Sequence, residues 1–250
     1  MRTIPLWAHR GYSGRYPENT MAAFIAGVEA GASGIECDLR ETSDGHLVIL
    51  HDATVDRTTD GVGAIEDMTL DEARRLDAGI GFHPAFTGAC IPTLEEFLAY
   101  MSYVASPCLI NLEWKLPAPR PAVVQNAFQR IEAYGLASFI LHSSFHVESL
   151  RRVKQANPHA RTALLVDEVD AGTIDQTVAL GAEAIHPNYH QVTPNFVRRA
   201  HQQGLRVNPF TVNDARGFAW MYECNVDAVI TNWPAAQWWK QIESASDPTI

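Results

Sequence analysis

Four short stretches of this chain combine residue types that do chemistry with a spacing that would bring them together. Ala8-His9-Arg10-Gly11 sets an imidazole and a guanidinium directly behind an apolar run, and His51-Asp52 follows another, Leu47–Leu50. Glu36-x-Asp38 and Asn111-x-Glu113-x-Lys115 carry polar groups at every second position. Side chains two apart on a strand point to one face. Glu36 and Asp38 therefore project together with Cys37 turned away, and Asn111, Glu113 and Lys115 form a second row. If both rows face one space, their three carboxylates repel each other. A hard divalent cation relieves that repulsion, and all-oxygen ligands favour Mg²⁺ or Ca²⁺ over softer metals. Glu36, Asp38 and Glu113 are the candidate ligands of one such ion, whose remaining positions would be open to water or substrate. A solvated strand end is the plainer account of an isolated E-x-D. It does not suit Glu113, which sits inside the apolar run Leu109–Trp114 and needs a partner there.

His9 and His51 are the candidate acid–base pair, because imidazole titrates near neutrality and one ring can take a proton while the other gives one. Arg10 suits two-pronged binding of a phosphate, and Lys115 acts as a point charge. Each has a plainer reading: a hydrogen-bonded structural histidine, a solvated lysine at a strand end, an Arg10 salt bridge to Glu18. Glu18 itself either orients Arg10 or favours a helix N-terminus. Aromatic residues near strand ends, Tyr12, Phe145, Tyr189, Phe210 and Trp233, are candidates for the wall of a substrate pocket, with packing under loops as the alternative.

What positions these groups is a repeating pattern of strand and helix. Strands are expected at Ile4–Ala8, Gly34–Asp38, Leu47–Leu50, Cys108–Trp114, Phe139–His142, Thr162–Val166, Ala182–His186, Arg206–Thr211 and Asp227–Thr231. Amphipathic helices lie between them, as in Met21/Phe24/Ile25/Val28 and Val124/Ala127/Phe128/Ile131, with a last one at Ala235/Trp238/Trp239/Ile242. Gly31, Gly135, Gly181 and Gly204 fall where helices should stop. Eight such units, plus Leu47–Leu50 as an extra strand after the second, predict an α/β fold: a (β/α)8 TIM barrel with a small insertion after the second barrel strand. No glycine-rich dinucleotide or P-loop motif follows the first strand, which disfavours an open doubly wound sheet. The whole chain, 1–250, is expected to be one barrel domain. Its insertion, approximately 52–92, is polar and Gly-rich, with a helical stretch near Leu70–Leu76. Thr93 and Glu96 spell a capping box at the start of the next helix.

With 250 residues, 46% of them hydrophobic, the chain can bury a substantial core. Its formal charge of −10 argues against general affinity for nucleic acid or anionic membranes, though not against one cationic pocket. Cys37, Cys90, Cys108 and Cys224 are scattered without a C-x-x-C pair, as free thiols of a reducing cytoplasm would be. No apolar run is long enough to span a membrane, and the first residues show no long apolar h-region of the kind a secretory signal carries, so no leader is expected. The Trp238-Trp239 pair reads as helix-to-barrel packing, with an oligomer contact as the alternative.

Taken in order, His9-Arg10-Gly11, Pro17-Glu18-Asn19-Thr20, Glu36-x-Asp38, His51-Asp52, Arg57-Thr58-Thr59-Asp60-Gly61, Ile91-Pro92-Thr93-Leu94-Glu95-Glu96 and Asn111-x-Glu113-x-Lys115 resemble the glycerophosphodiester phosphodiesterase family. Ser144-Phe145, Thr211-Val212-Asn213 and Asp227-x-x-Ile230-Thr231-Asn232-x-Pro234 are similar to its later elements, so the resemblance runs through the chain. It implies a barrel with an insertion after the His-Asp pair and metal-dependent cleavage of a small-molecule glycerophosphodiester to glycerol 3-phosphate and an alcohol. It also implies His9 and His51 as acid and base, Glu36, Asp38 and Glu113 as metal ligands, and Arg10 and Lys115 as phosphate contacts. Phe210 stands where the family often has tryptophan, and Asn232 where it often has aspartate; both bear on substrate preference. The rival readings are a lysophospholipase D-like enzyme with an apolar mouth near Ile80–Phe86, a non-catalytic barrel that binds phosphorylated polyols, and a metal-dependent sugar isomerase. The last accounts for the carboxylates but not for Arg10 and Lys115.

Overall fold

The computed structural model describes residues 3–104 and 108–235. In chain order the strands are β1 (Leu6–Ala8), β2 (Gly34–Glu41), β3 (Leu47–Ile49), β4 (Leu109–Trp114), β5 (Ile140–Ser144), β6 (Thr162–Val166), β7 (Ala184–Pro187), β8 (Arg206–Val207) and β9 (Val229–Thr231). Eight of them form one parallel row in the order β8-β7-β6-β5-β4-β2-β1-β9. The row closes on itself: Asp227 N–H donates to Val207 O and Ile230 N–H to Pro209 O, each at 2.9 Å. The helices that pack outside are α1 (Met21–Glu29), α3 (Leu94–Tyr103), α4 (Pro121–Ala133), α5 (Val147–Ala156), α6 (Thr173–Ala179), α7 (Pro194–Gln202) and α8 (Ala215–Cys224). The fold is a TIM barrel.

Between barrel and helices lies an apolar layer that includes Phe24, Ile35, Cys37, Leu39, Phe97, Leu112, Trp114 and Val124. Trp7, Leu141, Ala163, Ala184, Ala228 and Ile230 form a second cluster. The alanines leave room for the Trp7 indole, which meets the His186 ring edge-on at 5.6 Å between centroids. A side chain at Gly34 would collide with that indole, its Cβ 2.7 Å from Trp7 Cδ1. Burial of such side chains, about 1.5–3 kcal/mol each, fixes which face of every strand turns inward.

Three local differences from the sequence expectations have physical causes. β2 runs on to Glu41 because β3 pairs antiparallel with its extension, Leu39 opposite Ile49 and Glu41 opposite Leu47. β8 stops at Val207 rather than reaching Thr211, since Pro209 has no N–H to give a ladder. The helical stretch near Leu70–Leu76 is the single turn α2 (Leu70–Ala73). Thr93 and Glu96 do form a reciprocal capping box. Gly31, Gly135, Gly181 and Gly204 end their helices with φ between 63° and 78°, a conformation glycine adopts freely. The expected helix at Ala235–Ile242 and the Trp238-Trp239 pair lie outside the described residues, apart from Ala235 itself.

Residues 52–92 sit over their own small core of Val48, Leu50, Val55, Ile65, Ala73, Ala78 and Ile91. Arg74 ties this segment to α3 by a two-pronged bond to Glu96 at 2.6 and 2.9 Å. No helix among the described residues is long and apolar enough to cross a membrane.

Candidate active site

The strand register assembles the site. β2 and β4 are neighbours, with Glu36 opposite Asn111 and Asp38 opposite Glu113. Glu36, Asp38 and Glu113 are all buried, and each offers an oxygen within 4.8 Å of the others. His9 and Arg10 arrive from the end of β1. His51 arrives from the opposite direction: β3 runs antiparallel back down the β2 extension, and Leu50 N–H donates to Asp38 O at 3.0 Å. An extra strand thus returns the second imidazole to the level of the carboxylates.

A cavity of about 400 Å³ opens here. His9, Arg10, Glu36, His51, Asn111, Glu113 and Lys115 line it. Phe145, Leu165, Asp167, Phe210, Thr211 and Ile230 complete its wall. Asp38 lies beneath the wall, fully buried, with Oδ2 accepting from Asn19 Nδ2 at 2.7 Å and lying 3.3 Å from Arg10 Nε. Its Oδ1 is 3.3 Å from Lys115 Nζ, which also donates to Glu113 Oε1 at 2.5 Å. Of the aromatic candidates, Phe145 and Phe210 line the cavity, their rings edge-to-face at 5.7 Å. Tyr12, Tyr189 and Trp233 do not line it. Tyr12 is buried against Trp233 and Tyr16, and Tyr189 packs beside the α7–α8 core and against His190.

The electrostatics are those of carboxylates short of positive charge. Burial, then the neighbouring Asp38 and Glu113, pushes the Glu36 carboxyl well above the usual range. Burial and Asp38 raise Glu113 to about 7. Asp38 is held low, against the effect of its burial, by Arg10 and Lys115. Glu36 Oε1 is buried without a hydrogen-bond donor, and the buried Asp38 Oδ1 has the Lys115 ammonium 3.3 Å away. Buried, closely set oxygens, of which the Glu36 and Glu113 carboxyls would otherwise retain protons, are a donor set that fits one hard divalent cation.

The two imidazoles have different partners. His9 Nδ1 lies 2.7 Å from Asn232 Oδ1, and its Nε2 is 4.0 Å from Glu36 Oε2. Burial and the adjacent Arg10 bring its pKa down to about 3, so the ring is neutral at pH 7. His51 Nδ1 lies 2.5 Å from Asp52 Oδ1. Burial lowers its pKa too, although Asp38 and Asp52 oppose that shift. Arg10 has φ 55°, its backbone N–H donates to Glu36 Oε2 at 2.8 Å, and its Nη1 donates to Glu18 Oε1 at 2.8 Å. Glu18 is therefore Arg10's partner and not a helix cap. Thr20 caps α1, accepting from Ala23 N–H at 3.3 Å.

Gly11, next in the loop, is fixed by packing. Its φ is +76°, and a Cβ would sit 2.5 Å from the Ala23 carbonyl carbon of α1. Glycine is needed there for packing against the helix. Type and spacing alone do not mark Asn19, Arg57, Asp167 or Asn232 as site residues. Asp167 had a usable signal: it continues the alternation of Ala163 and Leu165 past the end of β6. The others act through contacts across the sequence that no local pattern encodes.

Fold and site together define a class, a TIM barrel whose strand ends gather an acid cluster, two cations and two imidazoles around one cavity. The chain belongs to the glycerophosphoryl diester phosphodiesterase family, which it matches over residues 9–236, and is an enzyme of that class, a phosphoric diester hydrolase. It is 38% identical over 238 residues to a glycerophosphodiester phosphodiesterase of Caldanaerobacter subterraneus, covering 94% of this chain and 96% of that protein. A glycerophosphodiester phosphodiesterase of Bacillus altitudinis is 35% identical over 92% of this chain and 94% of its own. Among solved structures, an Oleispira antarctica phosphodiesterase in complex with the product sn-glycerol-3-phosphate superposes with a TM-score of 0.83. It has 28% identity and covers 97% of this chain and 96% of that one.

Proposed function

We propose that this chain, as one barrel domain with residues 52–92 as an insertion, hydrolyses small-molecule glycerophosphodiesters to glycerol 3-phosphate and an alcohol. The reaction uses one divalent ion, Mg²⁺ or Ca²⁺, and two histidines. The observation that carries this is the meeting of Glu36, Asp38 and Glu113 within 4.8 Å beside a cavity that His9, His51, Arg10 and Lys115 also line. Glu36, Asp38 and Glu113 would hold the ion, which when bound supplies Lewis-acid polarisation of the phosphoryl group. Arg10 and Lys115 bind the phosphodiester anion and offset the charge that grows on its oxygens. His9, neutral and with Nδ1–H engaged by Asn232, turns a free Nε2 lone pair to the site and serves as base. His51 shares its Nδ1 proton with Asp52, which stabilises the imidazolium and suits it to protonate the leaving alkoxide. Phe145, Phe210 and Leu165 give the alcohol an apolar wall. The unpaired cysteines support a place in the cytoplasm.

The test is to incubate the protein with glycerophosphocholine and glycerophosphoethanolamine, with and without EDTA, and assay glycerol 3-phosphate. Release that EDTA abolishes and Mg²⁺ or Ca²⁺ restores is the expected result. Absence of metal-dependent release from these and from other headgroups refutes the reading. A second reading, cleavage of lysophospholipids, rests on Ile80 and Phe82, each 48% exposed, and on a groove of about 140 Å³ bordered by Phe82, Pro17 and Arg57. Choline release from lysophosphatidylcholine faster than from glycerophosphocholine would favour it.

A further inference from the structure

We propose that Arg57 is a positioning residue that locks the two sides of the site together, holding His51 through Asp52 and Arg10 through Glu18. The proposal rests on the hydrolase reading above. Arg57 belongs to the insertion, beyond the cavity wall, yet its guanidinium spans two carboxylates. Nε donates to Asp52 Oδ2 at 2.6 Å and Nη2 to Asp52 Oδ1 at 3.2 Å. Nη1 donates to Glu18 Oε2 at 2.9 Å and Nη2 to Glu18 Oε1 at 2.8 Å. Each carboxylate has its other partner in the cavity wall: Asp52 Oδ1 meets His51 Nδ1, and Glu18 Oε1 accepts from Arg10 Nη1. The result is one continuous chain, His51–Asp52–Arg57–Glu18–Arg10, that ends on Asp38.

An exposed ion pair alone contributes little, and the Arg57 side chain is half-exposed. What distinguishes this one is the planar fork, which meets both carboxylates with paired bonds in fixed directions. Its backbone is fixed as well. Val55 is buried in the insertion's core, Val55 N–H donates to Gly63 O at 3.0 Å, and Thr59 Oγ1 donates to Val55 O at 2.8 Å. Without the fork, Asp52 and Glu18 are each left with a single partner and free to rotate, and His51 and Arg10 lose their common reference.

The test is Arg57→Ala, with Arg57→Lys and Glu18→Gln beside it, in the full chain with saturating metal. R57A should lower kcat about 10- to 100-fold, as small displacements of reacting groups do. Millimolar guanidinium should restore part of that loss, whereas R57K, which has charge but no fork, should recover little. Because Arg57 acts through Glu18, the R57A effect should be several-fold smaller in the E18Q background. Independently of turnover, R57A should accelerate hydrogen exchange both at 51–60 and across the sequence gap at 10–20. A kcat within twofold of the parent, effects that multiply with E18Q and ignore guanidinium, or faster exchange confined to 51–60 would each overturn the proposal. A parent protein that cleaves no glycerophosphodiester would defeat the functional reading, while the exchange measurement would still decide on the brace.

Discussion

At the residue scale the site is governed by how few charges its carboxylates have to share. Glu113, raised to about 7 by burial and Asp38, carries a proton for part of the time at neutral pH, and Glu36 is pushed in the same direction. A carboxylate must lose its proton to ligate a cation, so metal binding should release protons. The sign follows: as pH falls below about 7 the proton competes better and metal affinity drops, by up to about tenfold per pH unit for each proton displaced. Titration calorimetry with Mg²⁺ or Ca²⁺ in buffers of different ionisation enthalpy should therefore show proton release near pH 7 and weaker binding at pH 6 than at pH 8. Equal affinity at both pH values, with no buffer dependence, would contradict the ligand assignment. His9 supplies the second test at this scale. H9A should lower kcat by roughly 10²–10⁴ while leaving the metal affinity close to that of the parent. A variant that retains full activity would remove His9 from the chemistry.

At the element scale, the first βα loop is the joint on which this arrangement turns. It holds His9 and Arg10 at one end, Glu18 and Asn19 at the other, and Gly11 pressed on Ala23 between them. Gly11→Ala would combine a side chain at φ +76° with a 2.5 Å contact to a helix backbone. The conformational cost alone is about 1 kcal/mol, and the overlap adds to it, so urea unfolding should show a loss of at least that size together with reduced activity. A stable, fully active G11A would mean the loop tolerates displacement. Much of this scale was legible in the sequence. The i, i+2 rule placed Glu36, Asp38, Asn111, Glu113 and Lys115, because strand parity is strict and apolar neighbours fix the buried face. Parity carries at most a residue past a strand end and not through a loop, and for that reason Tyr12, Tyr189 and Trp233 look the same as Phe145 and Phe210 in sequence yet do not line the cavity. The His9–Asn232 and Arg57–Glu18 pairs are separated by 223 and 39 residues. Only closure of the barrel and the path of the insertion bring them together.

At the scale of the whole molecule, two buried imidazoles contribute stability only while they stay uncharged. His142 and His186 are buried, and burial lowers each pKa to about 3. Their nitrogens serve as neutral groups: His142 Nδ1 accepts from Trp114 Nε1 at 3.1 Å, and His186 Nε2 lies 3.1 Å from Asn208 Nδ2. In the unfolded chain each ring titrates near 6.5. Between about 3 and 6.5 the unfolded state therefore binds a proton that the folded state does not. The contribution of each ring is complete above pH 6.5 and is lost as pH falls, at up to about 1.4 kcal/mol per pH unit. Urea unfolding at pH 7 and pH 5 should show the loss directly. His142→Gln, which keeps a hydrogen-bond acceptor for Trp114 but cannot titrate, should narrow the difference between the two pH values by about 2 kcal/mol relative to the parent. The comparison cancels the other titrating groups, including the acid cluster, because they are common to both proteins. An unchanged difference would mean that His142 already carries its proton in the folded barrel at pH 5, and that the wall around Trp114 and Phe128 accommodates the charge.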